Sequence, residues 1–212
     1  MSDELERRLT RVPPAGALDI DAFKARLGSE AAQHGLLDVA YGTLDSPLGT
    51  LTAFVTPRGL TRLAYQGEPM DQQLAELAAT VSPRILPAAH RTDAVRRQLD
   101  EYFAGRRQRF DVPIDWSTLR GFRAAVLRAT AGIPFGSVTS YREIATAAGS
   151  PNAFRAAGNA LGSNPIPIVV PCHRVLHAGG GLGGYTGGLD RKRFLLHLEG
   201  ALASGAEPSR MR

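Results

Sequence analysis

The chain has 212 residues, 43% of them hydrophobic and 21% charged, with a formal net charge of +5. That length suffices for one large domain or two small ones with a real core, and the composition excludes a disordered or fibrous chain. No window approaches the roughly eighteen uninterrupted apolar residues of a membrane span; the charged start MSDELERRLT has no apolar leader core, so a cytoplasmic protein is expected, or a nuclear one in a cell with a nucleus.

Residues 1–17 are polar, end in the breaker PPAG and read as a loose arm. DIDAFKARLGSEAAQHG follows with Ile20, Phe23 and Leu27 at helical spacing. Over 39–67, runs rich in Thr, Val, Leu and Tyr are broken by SPLG and PRG, the pattern of an antiparallel meander. MDQQLAELAATV and HRTDAVRRQLDEYFAG predict two helices; the second sets Val95, Leu99 and Phe103 on one face and stops at Gly105. FDVPIDW reads as a last strand and a link onward. Strands followed by helices predict a small α/β domain.

From Leu119 the chain reads as short helices. LRGFRAAVLRATAG turns Phe122, Val126 and Leu127 inward and stops at Gly132. TSYREIATAAG opens with Ser140 and Glu143 in a capping-box pattern. SPNAFRAAGNALGSN places Ser150 as a cap and Pro151 at the first helical position. Two short helices three or four residues apart are the layout of a helix-turn-helix. DRKRFLLHLEG is a closing helix stopped by Gly200, and residues 201–212 read as a frayed tail.

Charge divides with this change of character. Residues 118–212 carry eleven Lys/Arg against four Asp/Glu, and the first 117 carry fourteen against sixteen. A basic C-terminal half suits a polyanion; an arginine-rich solvated surface explains the charge equally well. One cysteine excludes an internal disulfide and a multi-thiolate zinc site. Among the five histidines only His173 and His177 sit four apart, with glycines following, so no metal is expected. GGGLGG at 179–184 matches a dinucleotide fingerprint in letters only, without its strand–turn–helix setting, and reads as a flexible loop.

The single cysteine, Cys172, lies in IPIVVPCHRVLHAGGG. A lone cysteine is often a buried small hydrophobe, and IPIVV is a core-strand pattern. Three features favour a nucleophile instead. Pro171 lacks an N–H and ends the ladder, so the thiol sits where a strand stops. His173 supplies an adjacent proton acceptor, through a bend or a bridging water. Arg174 adds a positive charge that favours a thiolate.

NPIPIVVPCHRVL resembles the active-site signature of the O6-alkylguanine-DNA alkyltransferases, which repair alkylated guanine by taking the alkyl group onto their own cysteine. The likeness spans nearly all of residues 40–200: SPLGTLTAFVTPRGLTRLAYQG is similar to the family's first strands, IPFGSVTSYREIA and RAAGNALGSNP to its helix-turn-helix, and GGYTGGLDRKRFLLHLEG to its closing loop and helix. The resemblance implies a mixed α/β (α+β) fold: an N-terminal extension over 1–39, a ribonuclease-H-like α/β domain over 40–115, a mostly helical, winged-helix-like domain over 116–200, and the tail.

It also implies roles. Cys172 would be the acceptor thiolate, His173 would draw its proton through a water, and Glu199 would hold His173, in the logic of a hydrolase triad. Asn164 would brace the turn before the active-site strand. Tyr141 would donate to the extruded guanine, the backbone of Cys172 and Val175 would read its edge, and Tyr185 and Thr186 would wall the pocket. Arg155 would fill the hole left by the base, with Ser140, Ala156, Gly158 and Asn159 against the DNA backbone. No cofactor is implied; the partner would be double-stranded DNA with O6-alkylguanine, bound through the minor groove by a monomer.

The sequence departs from the family at Phe122, Arg123 and Leu127, where many members carry a Phe-Gln pair and a Trp. A non-catalytic helix-turn-helix regulator would explain the basic half but leave the thiol idle. A cysteine hydrolase would explain Cys172 and His173 but would turn over.

Overall fold

A computed structural model of the chain describes residues 19–202. The expected arm and most of the expected tail lie outside the described residues. The first element, α1 (Ile20–Gln33), packs against β4. Its contact face is made of small residues: Ala31 is buried, and a Cβ on Gly28 would come within 2.0 Å of the Pro87 carbonyl oxygen. The apolar residues that signalled the helix face outward, with Ile20, Phe23 and Leu27 exposed.

The meander forms as read: β1 (Val39–Leu44), β2 (Leu51–Thr56) and β3 (Gly59–Tyr65) are antiparallel neighbours. After α2 (Met70–Thr80), a short β4 (Ile85–Pro87) joins parallel to β1, giving the order β3-β2-β1-β4. Alternation assigns the two faces. Val39, Phe54 and Ala64 pack with Leu77 of α2, whereas Ala40, Leu51, Ala53, Val55 and Leu63 join the main core. A single 3-10 turn (Ala89–Thr92) leads into α3 (Asp93–Phe103), whose Val95, Leu99 and Tyr102 are buried in that core.

FDVPIDW is not a strand. It meets β3 through one bridge, Leu60 to Ile114, because Pro113 has no N–H to extend the ladder. Side chains fasten it instead: Asp115 accepts from Thr56 Oγ1 at 2.6 Å and from Arg58 Nε at 3.1 Å.

The C-terminal region contains α4 (Gly121–Ala131), α5 (Tyr141–Ala147), α6 (Phe154–Gly162) and α7 (Leu189–Leu198). Val126 and Leu127 are fully buried, and Phe122 packs on the core. The capping box of α5 is complete: Glu143 N donates to Ser140 Oγ at 3.2 Å, and Ser140 N donates to Glu143 Oε2 at 2.7 Å.

The start of the second helix differs from expectation. Ser150 N bonds back to Ala145 O at 2.9 Å, closing α5 in a Schellman turn, and Ala153 N bonds Ser150 O at 2.9 Å. Residues 150–153 are therefore the turn of the helix-turn-helix, Ser150 caps nothing, and α6 begins at Phe154 after six intervening residues. Two-residue strands β5 (Thr139–Ser140) and β6 (Val175–Leu176) pair in parallel, so the described residues contain no antiparallel wing hairpin. No helix among them is long and apolar enough to cross a membrane. The result is a mixed α/β chain, a small sheet region followed by a helical one, with one core cluster running through both.

Candidate active site

IPIVV is a coil of turns, not a strand, because Pro165 and Pro167 remove two ladder donors and Ile168 turns left-handed at φ 72°. A β-branched residue in that region is strained; the fully buried Ile168 side chain holds it there. Two anchors set the segment. Leu63 N of β3 donates to Pro165 O at 2.9 Å, tying it to the sheet. Asn164 supplies the other: its Oδ1 accepts from Ile166 N at 3.0 Å, and its Nδ2 donates to Val170 O at 2.8 Å and to Cys172 Sγ at 3.1 Å. Asn164 thus replaces missing main-chain bonds and touches the thiol directly.

Cys172, His173 and Arg174 then form one 3-10 turn, all three buried. The turn supplies the bend that lets adjacent residues serve one centre. His173 Nε2 lies 2.9 Å from Glu199 Oε1. Glu199 is the hub: Oε1 also accepts from Tyr102 Oη at 2.6 Å and Arg174 Nη2 at 2.8 Å, and Oε2 from Arg174 Nε at 2.7 Å. Burial by itself raises the carboxyl pKa, but hydrogen bonds from His173 and Arg174 outweigh it and hold the group at about 2. A carboxylate only accepts, so Nε2 must carry the proton. Burial lowers the His173 pKa against the pull of Glu199. The ring is therefore neutral, with a lone pair on Nδ1, a buried atom that has no hydrogen-bond partner in the chain. The free acceptor thus belongs to the residue that follows the thiol in the same turn.

Arg174 does not act on the thiol as its position in the sequence suggested. Its guanidinium is committed to Glu199 and to Ile133 O, the latter at 2.5 Å. The cation beside Cys172 is Lys192, fully buried on α7, whose Nζ donates to Val175 O at 2.7 Å and to Leu182 O. Burial brings Lys192 down to about 8, while Cys172 pulls the other way. Burial likewise pushes the Cys172 pKa up; the Asn164 hydrogen bond and the Lys192 charge favour the thiolate.

Cys172 opens onto a cavity of about 430 Å³. Of the residues expected at the site, Tyr141, Arg155, Gly158 and Tyr185 line it with Cys172. His173, Glu199 and Asn164 stand behind the thiol. Val175 is wholly buried with its carbonyl bonded to Lys192. Thr186 is outside the cavity, its Oγ1 bonded to Gly162 O at 2.5 Å. Ser140 is the α5 cap, and Ala156 and Asn159 lie on the exposed face of α6 beside the cavity mouth. Phe154, Leu161, Gly162, His177 and Gly184 complete the lining, the His177 ring 5.2 Å from that of Tyr141. Among the described residues no cluster of three or more His, Cys, Asp or Glu could hold a metal.

Two family models match: the 6-O-methylguanine DNA methyltransferase ribonuclease-like domain over residues 39–116, and that family's DNA binding domain over 121–201. A methylated-DNA–protein-cysteine methyltransferase of Mycolicibacterium paratuberculosis is 45% identical over 163 residues, covering 76% of this chain and 92% of that one. The chain belongs to the 6-O-methylguanine DNA methyltransferase family. Among solved structures, the O6-methylguanine methyltransferase of Mycobacterium tuberculosis aligns at a TM-score of 0.66 and 41% identity, over 79% of this chain and 96% of that one. The Mycobacterium tuberculosis protein in complex with DNA aligns at 0.64 and 42% identity, over 76% and 93%.

Within this family member, the sequence reading missed Lys192 and Tyr102. The signal for Lys192 was present: Lys192, Leu195, Leu196 and Glu199 recur at i, i+3, i+4 and i+7, and all four are buried. Tyr102 carried only its place beside Leu99, which marks a core residue and says nothing of its bond to a carboxylate 97 positions later.

Proposed function

We propose that this protein repairs O6-alkylguanine in duplex DNA by moving the alkyl group onto Cys172, once per protein molecule. The lesion leaves the base stack, at a cost of roughly a few kcal/mol, and enters the cavity; Arg155, at the mouth on α6, fills the space left behind. The Cys172 proton passes to His173 Nδ1 through a water. The sulfur attacks the alkyl carbon, a C–S bond forms as the O6–C bond breaks, and the electron pair stays on the guanine. Tyr141 donates a hydrogen bond to that base as it leaves. A thioether offers water no acyl carbon, so the product persists and the protein is spent.

Residues 116–200 carry this chemistry and meet the DNA through its minor groove, where the small residues of α6 allow close approach. Residues 40–115 are the supporting domain. The protein acts as a monomer in the cytoplasm. The observation that carries the reading is an imidazole held by a buried carboxylate, its Nδ1 without a partner, in the same buried turn as the single thiol that lines the cavity.

The test is to mix the protein with duplex DNA holding one O6-methylguanine and weigh the intact protein. One added methylene per molecule on the Cys172 peptide, saturating at one equivalent and absent in Cys172→Ser, is expected. Tight lesion binding with no mass gain would make the protein a lesion sensor; repeated turnover would make it a hydrolase.

A further inference from the structure

Tyr185 lines the cavity at Cys172, yet the group that fixes it comes from the sheet. Its hydroxyl lies 2.7 Å from that of Tyr65, the last residue of β3, which is only 5% exposed. The rings meet edge to face, centroids 6.4 Å apart at 68°. Tyr65 is held in turn by the Arg191 guanidinium, 4.4 Å over its ring. Arg191 is itself anchored, donating to Leu48 O at 3.3 Å and to Gly187 O at 3.0 Å. A Cβ on Gly187 would come within 2.7 Å of the Tyr65 ring and 2.8 Å of the Tyr185 ring, so the loop crosses the pair only where it has no side chain. Four elements converge on one contact, and its far end is a cavity wall.

The segment from Ala178 to Gly188 holds seven glycines and has little stiffness of its own. Without the bond to Tyr65, the Tyr185 side chain would be free to swing with that loop. We propose that Tyr65 is a positioning residue that sets substrate range: it pins Tyr185 in place and so limits the size of alkyl group that reaches Cys172. This rests on the alkyl-transfer reading above, and it gives the N-terminal sheet a part in specificity.

Single-turnover rates test it, measured by mass on the Cys172 peptide with two substrates: duplex O6-methylguanine and the bulky free base O6-benzylguanine. The full chain is compared with Tyr65→Phe, Tyr185→Phe and the double variant. Phe keeps both rings and their edge contact, and thermal melts check that each variant is folded. Loss of one net hydrogen bond predicts a rise of about three- to tenfold in the benzyl-to-methyl rate ratio for Tyr65→Phe. Tyr185→Phe should move the ratio in the same direction, and the double variant no further than either single, since both remove one interaction. An unchanged ratio in Tyr65→Phe, or effects that add, overturns the inference while leaving alkyl transfer intact. No transfer by the unmodified protein overturns both.

Discussion

In the meander, the main chain of β1, β2 and β3 bonds to its neighbours strand by strand, and alternate side chains sort to two faces. Between Asn164 and Arg174 that regularity is gone. There Asn164 supplies three of the local bonds, Lys192 takes the Val175 carbonyl, and Glu199 gathers Tyr102, His173 and Arg174. The sheet is held by repeated small contributions, so no single residue dominates it. The active segment is held by a few buried polar groups, each with several partners, and the loss of one leaves others stranded. A nucleophile needs this second kind of construction: a strand interior would bury the thiol with no acceptor beside it.

The sharpest way to break that contrast is Glu199→Gln. The amide keeps the volume but leaves the buried Arg174 cation without a counter-charge, so a loss of about 3–5 kcal/mol is expected, read by denaturant unfolding. Transfer to Cys172 should fall about a hundredfold, since His173 loses the partner that fixes its tautomer. A pH series adds a sign. Glu199 is held at about 2, below its ordinary 4.5, so its stabilisation is complete above 4.5 and fades as pH falls toward 2. Asp115, also held at about 2, titrates in the same window, so the quantity to follow is the difference between the two proteins. That difference should shrink from pH 4.5 to pH 2; a gap that stays constant would mean Glu199 does not titrate there.

The same contrast explains what could be read in advance. Strands β1 to β3 were legible because alternation and the turns SPLG and PRG are local signals. Strand β4 was not: three residues, Ile85 to Pro87, are too few to show a period, and their pairing with Val39 to Tyr41 is set by tertiary position. Cys172, His173, Asn164 and Glu199 were legible as a constellation through the family resemblance, but IPIVV was misread as a strand because its apolar content outweighed two prolines. Ser150 and Pro151 form a sound capping pattern, yet Ser150 N was already claimed by Ala145 O. Arg174 was paired with the wrong neighbour because a carboxylate 25 residues away is invisible to local charge.

Lys192→Met tests the smaller electrostatic contribution. Removing the buried cation withdraws the one charge among the groups that favour the thiolate over its burial penalty, so the transfer rate at neutral pH should fall roughly tenfold. Stability gives an independent check with the opposite pH sense. Lys192 is lowered from 10.5 to about 8, so the unfolded chain binds the extra proton between those values. The folded protein therefore carries the full penalty below about 8 and is relieved of it as pH rises toward 10.5. Thermal melts of the parent, relative to Lys192→Met, should shift upward across that interval. A flat difference would mean that Lys192 keeps its ordinary proton affinity despite full burial.

Ser140→Ala is the smallest of these effects, and it probes the border between the two kinds of construction. Ser140 pairs with Leu176 in the short parallel ladder and caps α5, the helix that begins with the cavity residue Tyr141. Alanine removes the oxygen that accepts from Glu143 N at 3.2 Å, which leaves one helix donor to water; about 1 kcal/mol is expected. For a chain of this size that is a drop of about 2–4 °C in Tm. The other half of the capping box, Ser140 N to Glu143 Oε2, uses the main chain and survives the substitution. Exchanging Glu143 for Gln in the same background should therefore cost a further, separate decrement. If the second change has no effect once the first is made, the two bonds form one cooperative unit, and the start of α5 behaves like the polar network around Glu199 and not like the sheet.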